Sequence, residues 1–261
     1  MIPLMTLKNG EVKVARKNPD KFRRERAKEL HTLAQILVEY GGLGDSSALM
    51  KAAEMCRKST PRGPDSYGYF LEQLRFKIKT PRHTLPSDIG DYLDLYLSVS
   101  LKGVCELGSD DPFKDDLSVN IEISGGNSSQ HKNICAWHLD RHILGEEDNE
   151  PDEVHPLYHF QYGGKNMRYL ENIGEVLLLE PPRLAYPPMD AVLAIDFVLS
   201  NYMGSLWKKL KVDSRYRSII ACAQKNFWFP YFKSIVAKWG STPERQAHNT
   251  LLLWPNLVDF D

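Results

Sequence analysis

The sequence predicts an α+β fold: a largely antiparallel sheet of four to five strands, flanked in the chain by N-terminal and C-terminal helices. Two observations carry this. Hydrophobic residues recur at helical spacing near both ends, and they alternate strictly with polar residues in the middle. The strands also follow one another without intervening helical segments, which argues against βαβ units and a parallel sheet. The 261 residues are read as one domain, with a helical part over 1–85, a sheet over 86–182 and a second helical part over 183–261.

The first helix opens at Asn18 and Pro19, a cap followed by a residue suited to the first turn, and ends at Gly41-Gly42. Leu30, Leu33, Ala34, Leu37 and Val38 form its apolar stripe. DSSALMKAAEMCRK and PDSYGYFLEQLRFKIK read as two further helices, closed by the prolines of TPRHTLPSD. In DYLDLYLSVSLKG the pattern changes. Leu93, Leu95, Leu97, Val99 and Leu101 alternate with Asp94, Tyr96, Ser98, Ser100 and Lys102, which is a strand with one buried face. LSVNIEIS repeats the alternation, SGGNSSQHKN is a turn, and ICAWHLDRHI and LYHFQYGG are two more strands. GEVLLLE is a weaker fifth candidate. After the proline-stiffened PPRLAYPP, the segments MDAVLAIDFVLSNYM, DSRYRSIIACAQKN and PYFKSIVAKWG return to helical spacing. The aromatic run FWFPYF between the last two reads as core packing, with a partner-binding patch as the alternative.

Composition narrows the function. A formal charge of −1 describes neither a polycation nor an acidic tail, so any nucleic-acid contact has to come from a local patch. The candidate patch is the N-terminal basic run: Lys8, Lys13, Arg16, Lys17, Lys21, Arg23, Arg24, Arg26 and Lys28. Arg75, Lys77, Lys79 and Arg82 add to it if they lie nearby, although interspersed acids also suit a solvated helix face. No apolar run is long enough for a membrane span. Cys56, Cys105, Cys135 and Cys222 stand apart in apolar or periodic surroundings, and no secretory apolar region appears in MIPLMTLKNGEVKVARK. Together these predict an intracellular, cytoplasmic protein with free thiols. There is no serine nucleophile elbow, HExxH helix or Cys–His signature, and neither SGGNSS nor YGGK has the spacing of a phosphate loop.

The informative stretch is WHLDRHILGEEDNEPDEVHPLYHFQYGG. Four of the eight histidines, His138, His142, His155 and His159, lie here, with Asp140 among them and His131 just upstream. On two strands joined as a hairpin across the acidic loop GEEDNEPDEV, the polar faces coincide. One register sets His138 opposite His159 and His142 opposite His155; the next sets Asp140 opposite His159 and His138 opposite Gln161. Directly opposed side chains start about 5 Å apart, so His138, Asp140 and His159 converge in either case. His138 and His142 stand about 13 Å apart along a strand and cannot share one ion. The same holds for His155 and His159, unless HPLYH is a helical turn.

The predicted site is therefore His138, Asp140 and His159, with Glu122 or Gln161 as additions and with His142 and His155 behind them or facing substrate. Two imidazoles and a carboxylate suit one divalent metal ion (Zn, Mn or Fe), with His138, Asp140, His159 and Glu122 as ligands. Without metal, the two histidines divide acid and base roles and Asp140 orients one ring. Arg141 points to the opposite face, so Lys165 is the better phosphate contact. The leading expectation is a hydrolase, a nuclease or phosphodiesterase, acting on nucleic acid or a nucleotide. The competing expectation is a non-enzymatic subunit of an intracellular complex, whose basic helix and acidic loop meet protein partners and whose histidines are surface residues.

Overall fold

The computed structural model describes residues 18–126, 132–142, 156–163, 167, 184–237 and 250–255. Its order is α1 (Pro19–Glu39), α2 (Ser47–Cys56), β1 (Ser66–Lys79), β2 (Tyr92–Val104), β3 (Asp116–Gly126), β4 (Lys132–Arg141), β5 (Tyr158–Tyr162) and β6 (Leu184–Ala185). There follow α3 (Ala191–Tyr202), α4 (Gly204–Leu210), α5 (Ser214–Ala223), α6 (Phe229–Ala237) and α7 (Thr250–Leu253). The sheet is antiparallel throughout, in the order β1-β2-β3-β4-β5-β6. The fold is α+β as predicted, with six strands among the described residues rather than four or five. GEVLLLE lies outside the described residues.

The added strands are β1 and the two-residue β6. The segment containing β1 was expected to be helical and is instead the longest strand. Its apolar residues alternate in two blocks, Tyr67, Tyr69 and Leu71, then Leu74, Phe76 and Ile78, all buried. Between them the ladder slips from Leu71↔Val99 to Leu74↔Leu97, so Glu72 and Gln73 together face Ser98. This β-bulge puts a step of three into a period of two, and the sum imitates helical spacing. Gln73 takes a φ of 43°, and its N–H donates to Ser98 Oγ at 3.1 Å. The sheet accordingly begins at residue 66 and runs to 185, beyond the predicted 86–182.

One face of the sheet carries the core. Leu93, Leu95, Leu97, Val99 and Leu101 of β2 and Leu117, Val119, Ile121 and Ile123 of β3 are buried on this face; α3 touches both β1 and β2, and α2 packs on β1. Helix α1 packs against α2, α3 and α5. Asn18 caps it by accepting from Asp20 N and Lys21 N, and Gly41 ends it at a φ of +70°. Val38, expected in the stripe, is exposed, and Ile36 is buried instead.

Two cations of the basic run do not face solvent. Arg23 and Arg26 are each 5% exposed, and Arg23 donates to the Pro64 and Ser66 carbonyls, fastening α1 to the start of β1. Arg26 pairs with Glu29 and reaches Cys222 Sγ. They are internal fastenings, not phosphate contacts; Lys8, Lys13, Arg16 and Lys17 lie outside the described residues.

The run FWFPYF also departs from expectation. After α5 the chain makes a π-helical turn over Gln224–Trp228 and continues as α6. Phe227, Pro230 and Tyr231 are buried, but Phe229 and Phe232 are exposed. Helix α4, too short to announce itself by periodicity, was not foreseen; Trp207 on it donates to Asp196 Oδ1, as does the Tyr216 hydroxyl. All four cysteines are free; Cys56 and Cys105 are buried, and Cys135 and Cys222 are half-buried.

Candidate functional site

The second of the two registers is observed. His138 faces Gln161, Asp140 faces His159, and Arg141 faces Tyr158. Aromatic packing on the core face suits this pairing: Trp137 stacks on Phe160 with centroids 5.4 Å apart and meets Tyr162 edge-on at 4.9 Å. Phe160 in turn packs on Tyr186 and Phe197. Because side chains alternate along a strand, seating these rings in the core puts His138, Asp140, His159 and Gln161 on the other face.

There the predicted trio comes together. His138 Nε2 lies 3.6 Å from Asp140 Oδ2, and the His138 and His159 rings are 6.4 Å apart between centroids, nearly perpendicular. That separation is beyond a direct ring-to-ring hydrogen bond and within reach of one bridging oxygen. His159 is 6% exposed and Gln161 7%, whereas the His138 and Asp140 side chains keep 15% and 37%. His159 Nδ1 lies 3.4 Å from the Pro156 carbonyl. A proton on Nδ1 points at that oxygen and leaves Nε2 with its lone pair.

The other candidates divide. Glu122 shares the face but stands opposite Ala136, and it lines a separate cavity with Gln73, Asp94, Tyr96 and Ser124. His142 lies just past the end of β4, where its backbone N–H donates to the Leu157 carbonyl and prolongs the ladder. His131, His155, Lys165 and the acidic loop lie outside the described residues. The alternative of a helical turn at HPLYH is set aside by strand β5. Among the described residues, no group of three or more His, Cys, Asp or Glu is arranged to hold a metal ion.

Arg141 points into the core side as expected. It makes a two-pronged pair with Asp111, Nε to Oδ1 at 2.8 Å and NH2 to Oδ2 at 2.6 Å, and the Tyr158 hydroxyl donates to the same carboxylate. This cluster ties the β2–β3 connection to both strands that carry the site, one residue from Asp140 and His159.

The floor beside the histidines was not foreseen. The ladders align Ser98, Asn120, His138 and Gln161 in one row across β2–β5, and Ser100, Ser118, Asp140 and His159 in the next. Asn120 Nδ2 donates to Ser118 Oγ, and Ser100 Oγ donates to Asp116. A strip of small hydroxyl and amide side chains thus runs to the imidazoles, bordered by Tyr96 and Glu122 on one side and Lys102 and Asp116 on the other. The alternation in β2 and β3 was the available signal, but strand register decides which polar residues share a row.

Among the described residues, no helix is long and apolar enough to cross a membrane. Compared with models of protein families, with curated proteins and with solved structures, the chain matches none, so the reading of this site rests on its own residues.

Proposed function

We propose that the His138–Asp140–His159 site cleaves phosphodiesters by paired-histidine acid–base catalysis. The observation that carries this is the 6.4 Å separation of the two rings, which lets them act on two oxygens of one phosphate group. His159, with Nδ1 turned to the Pro156 carbonyl, presents Nε2 as the base that takes a proton from the attacking hydroxyl or water. His138 is the acid: in its doubly protonated form one N–H faces Asp140 and the other protonates the leaving oxygen. Asp140 acts through His138 as a positioning residue.

The test is release of nitrophenol from a bis-aryl phosphate and cleavage of dinucleotides by wild type, His138→Gln, His159→Gln and Asp140→Asn, with folding checked by circular dichroism. Each histidine variant is expected to lose at least about a hundredfold in rate, and Asp140→Asn less, with an altered pH profile. Rates that survive in both histidine variants would overturn the proposal. Loss of wild-type activity in EDTA, restored by Zn, Mn or Fe, would transfer the site to metal chemistry.

One observation favours the second reading, an interaction subunit. Phe229, Phe232 and Val236, at helical spacings of three and four, leave an apolar stripe on α6 that is 63%, 46% and 63% exposed. The two readings separate on the same variants, because a subunit that only binds partners has no rate to lose.

A further inference from the structure

Resting on the paired-histidine reading, we propose that the substrate is single-stranded RNA, held on the outward face of β1 and β2 and led along the strip of serines and Asn120 to His138 and His159. The outward residues of β1 include Phe70, Arg75, Lys77 and Lys79, all exposed. Opposite them on β2 stand Ser100, Tyr96, Asp94 and Tyr92. Tyr92 is 57% exposed and Phe70 44%, and Lys77 Nζ lies 5.1 Å above the Tyr92 ring. Aromatic faces set among cations are how proteins hold single strands: bases stack on the rings and phosphates follow the charge.

The shape agrees. Two depressions adjoin at Gln73, on the bulge of β1. One, of about 440 Å³, lies at the β1 edge with Arg75, Lys77 and Asp45; the other, of about 430 Å³, lies over β2 and β3 with Tyr96. Each falls in the size range of small-ligand sites and suits one nucleoside. Asp94 and Glu122 line the second depression, and Arg75 is bonded to Asp94. The phosphates therefore run on the β1 side, beside Lys77 and Lys79, while a base lies toward Tyr96. From Tyr96, His138 is two strands over and one row along, about 10 Å across the sheet, and His159 is one strand and one row farther, which a few nucleotides span.

Stacking on these rings requires bases released from a duplex, which selects a single strand. RNA is selected because it brings its own nucleophile to a pair of imidazoles. His159 takes the 2′-hydroxyl proton, the 2′-oxygen bonds to phosphorus, the bond from phosphorus to the 5′-oxygen breaks, and His138 protonates that oxygen. The products are a 2′,3′-cyclic phosphate and a 5′-hydroxyl. Ser98, Ser100, Ser118 and Asn120 supply donors and acceptors for ribose hydroxyls along the way.

The experiment is fluorescence anisotropy of a labelled RNA of about a dozen nucleotides, with the matching DNA strand and RNA duplex, on His138→Gln protein across a salt series. The RNA strand should bind at least about tenfold tighter than the duplex, and more tightly than DNA. Tyr96→Ala and Tyr92→Ala should each weaken binding about tenfold. The combined Arg75→Gln, Lys77→Gln, Lys79→Gln variant should lower the salt slope by about two. Equal binding of duplex or DNA, or affinities unmoved by these substitutions, would overturn the assignment. A dinucleotide does not need β1, so its cleavage by wild type together with unmoved oligonucleotide affinities would overturn this inference alone. RNA bound through Tyr96 and never cut by wild type would instead overturn the paired-histidine reading, and the substrate assignment with it.

Discussion

Removing the Asp111 carboxylate should unfasten the hairpin that carries the two histidines. Asp111 and Arg141 are 14% and 11% exposed at their side chains, so water screens their pair little. Asp111→Ala strips the guanidinium of two acceptors and the Tyr158 hydroxyl of one, and leaves a cation in a largely buried place. Breaking such a pair from one side costs about 3–5 kcal/mol, a large share of the roughly 5–15 kcal/mol that holds a domain together. For a chain of this length that corresponds to a Tm lower by about 10 °C. Replacing both residues, Asp111→Ala with Arg141→Leu, strands no charge. The double variant should therefore be more stable than the sum of the singles by about 2 kcal/mol or more. Urea unfolding of the four proteins, with slopes compared to confirm the same transition, measures the cycle. Singles that each cost less than about 1 kcal/mol, or a double that equals their sum, would refute the reasoning.

Two further outcomes follow from the core. Asp190 caps α3 by accepting from Leu193 N, yet burial pushes its carboxyl up to about 6 despite the Leu193 and Val192 N–H groups and nearby Arg26, which favour the charged form. The folded protein thus keeps a proton that the unfolded chain releases near pH 4. Its contribution to stability is full below about pH 4 and declines as pH rises through about 6, by about 3 kcal/mol at most. Asp190→Asn keeps a competent cap and should flatten that decline in urea melts at pH 4.5 and 7; parallel melts would refute this. Gly103 lies so close to the β2–β3 connection that an added Cβ would meet the Pro112 carbonyl oxygen at 2.3 Å. Gly103→Ala should cost about 2–3 kcal/mol, and an unchanged Tm would refute the contact.

Which parts of the molecule were legible follows from which patterns are local. β2 and β3 alternate without interruption, and their inward residues match the core. β1 alternates as strictly in each half, but two residues facing one partner shift the phase, and the composite reads as a helix until Leu71 and Leu74 are seen on the same face. Gly68 inside the segment was the contrary local sign, since glycine disfavours a helix interior. Of the site, the convergence of His138, Asp140 and His159 needs only strand parity and adjacency, both readable from alternation and a hairpin. The positions of Glu122, which serves another cavity, and of Ser118 and Asn120, which lie beside the histidines, depend on the β3–β4 register. Nor could spacing show that Arg23 and Arg26 turn inward, because they lie on a helix packed by several neighbours.

Each strand of this sheet is paired with the strand next to it in the chain. A meander of this kind separates inheritance of the frame from inheritance of specificity. β1 to β3 can zip together hairpin by hairpin without waiting for distant segments, and they fix the register against which β4 and β5 are laid. Because each pairing joins neighbours in the chain, a change of length between two strands leaves every other strand pair in register. Divergent copies of this chain can vary what borders the imidazoles while leaving the rows across the sheet intact.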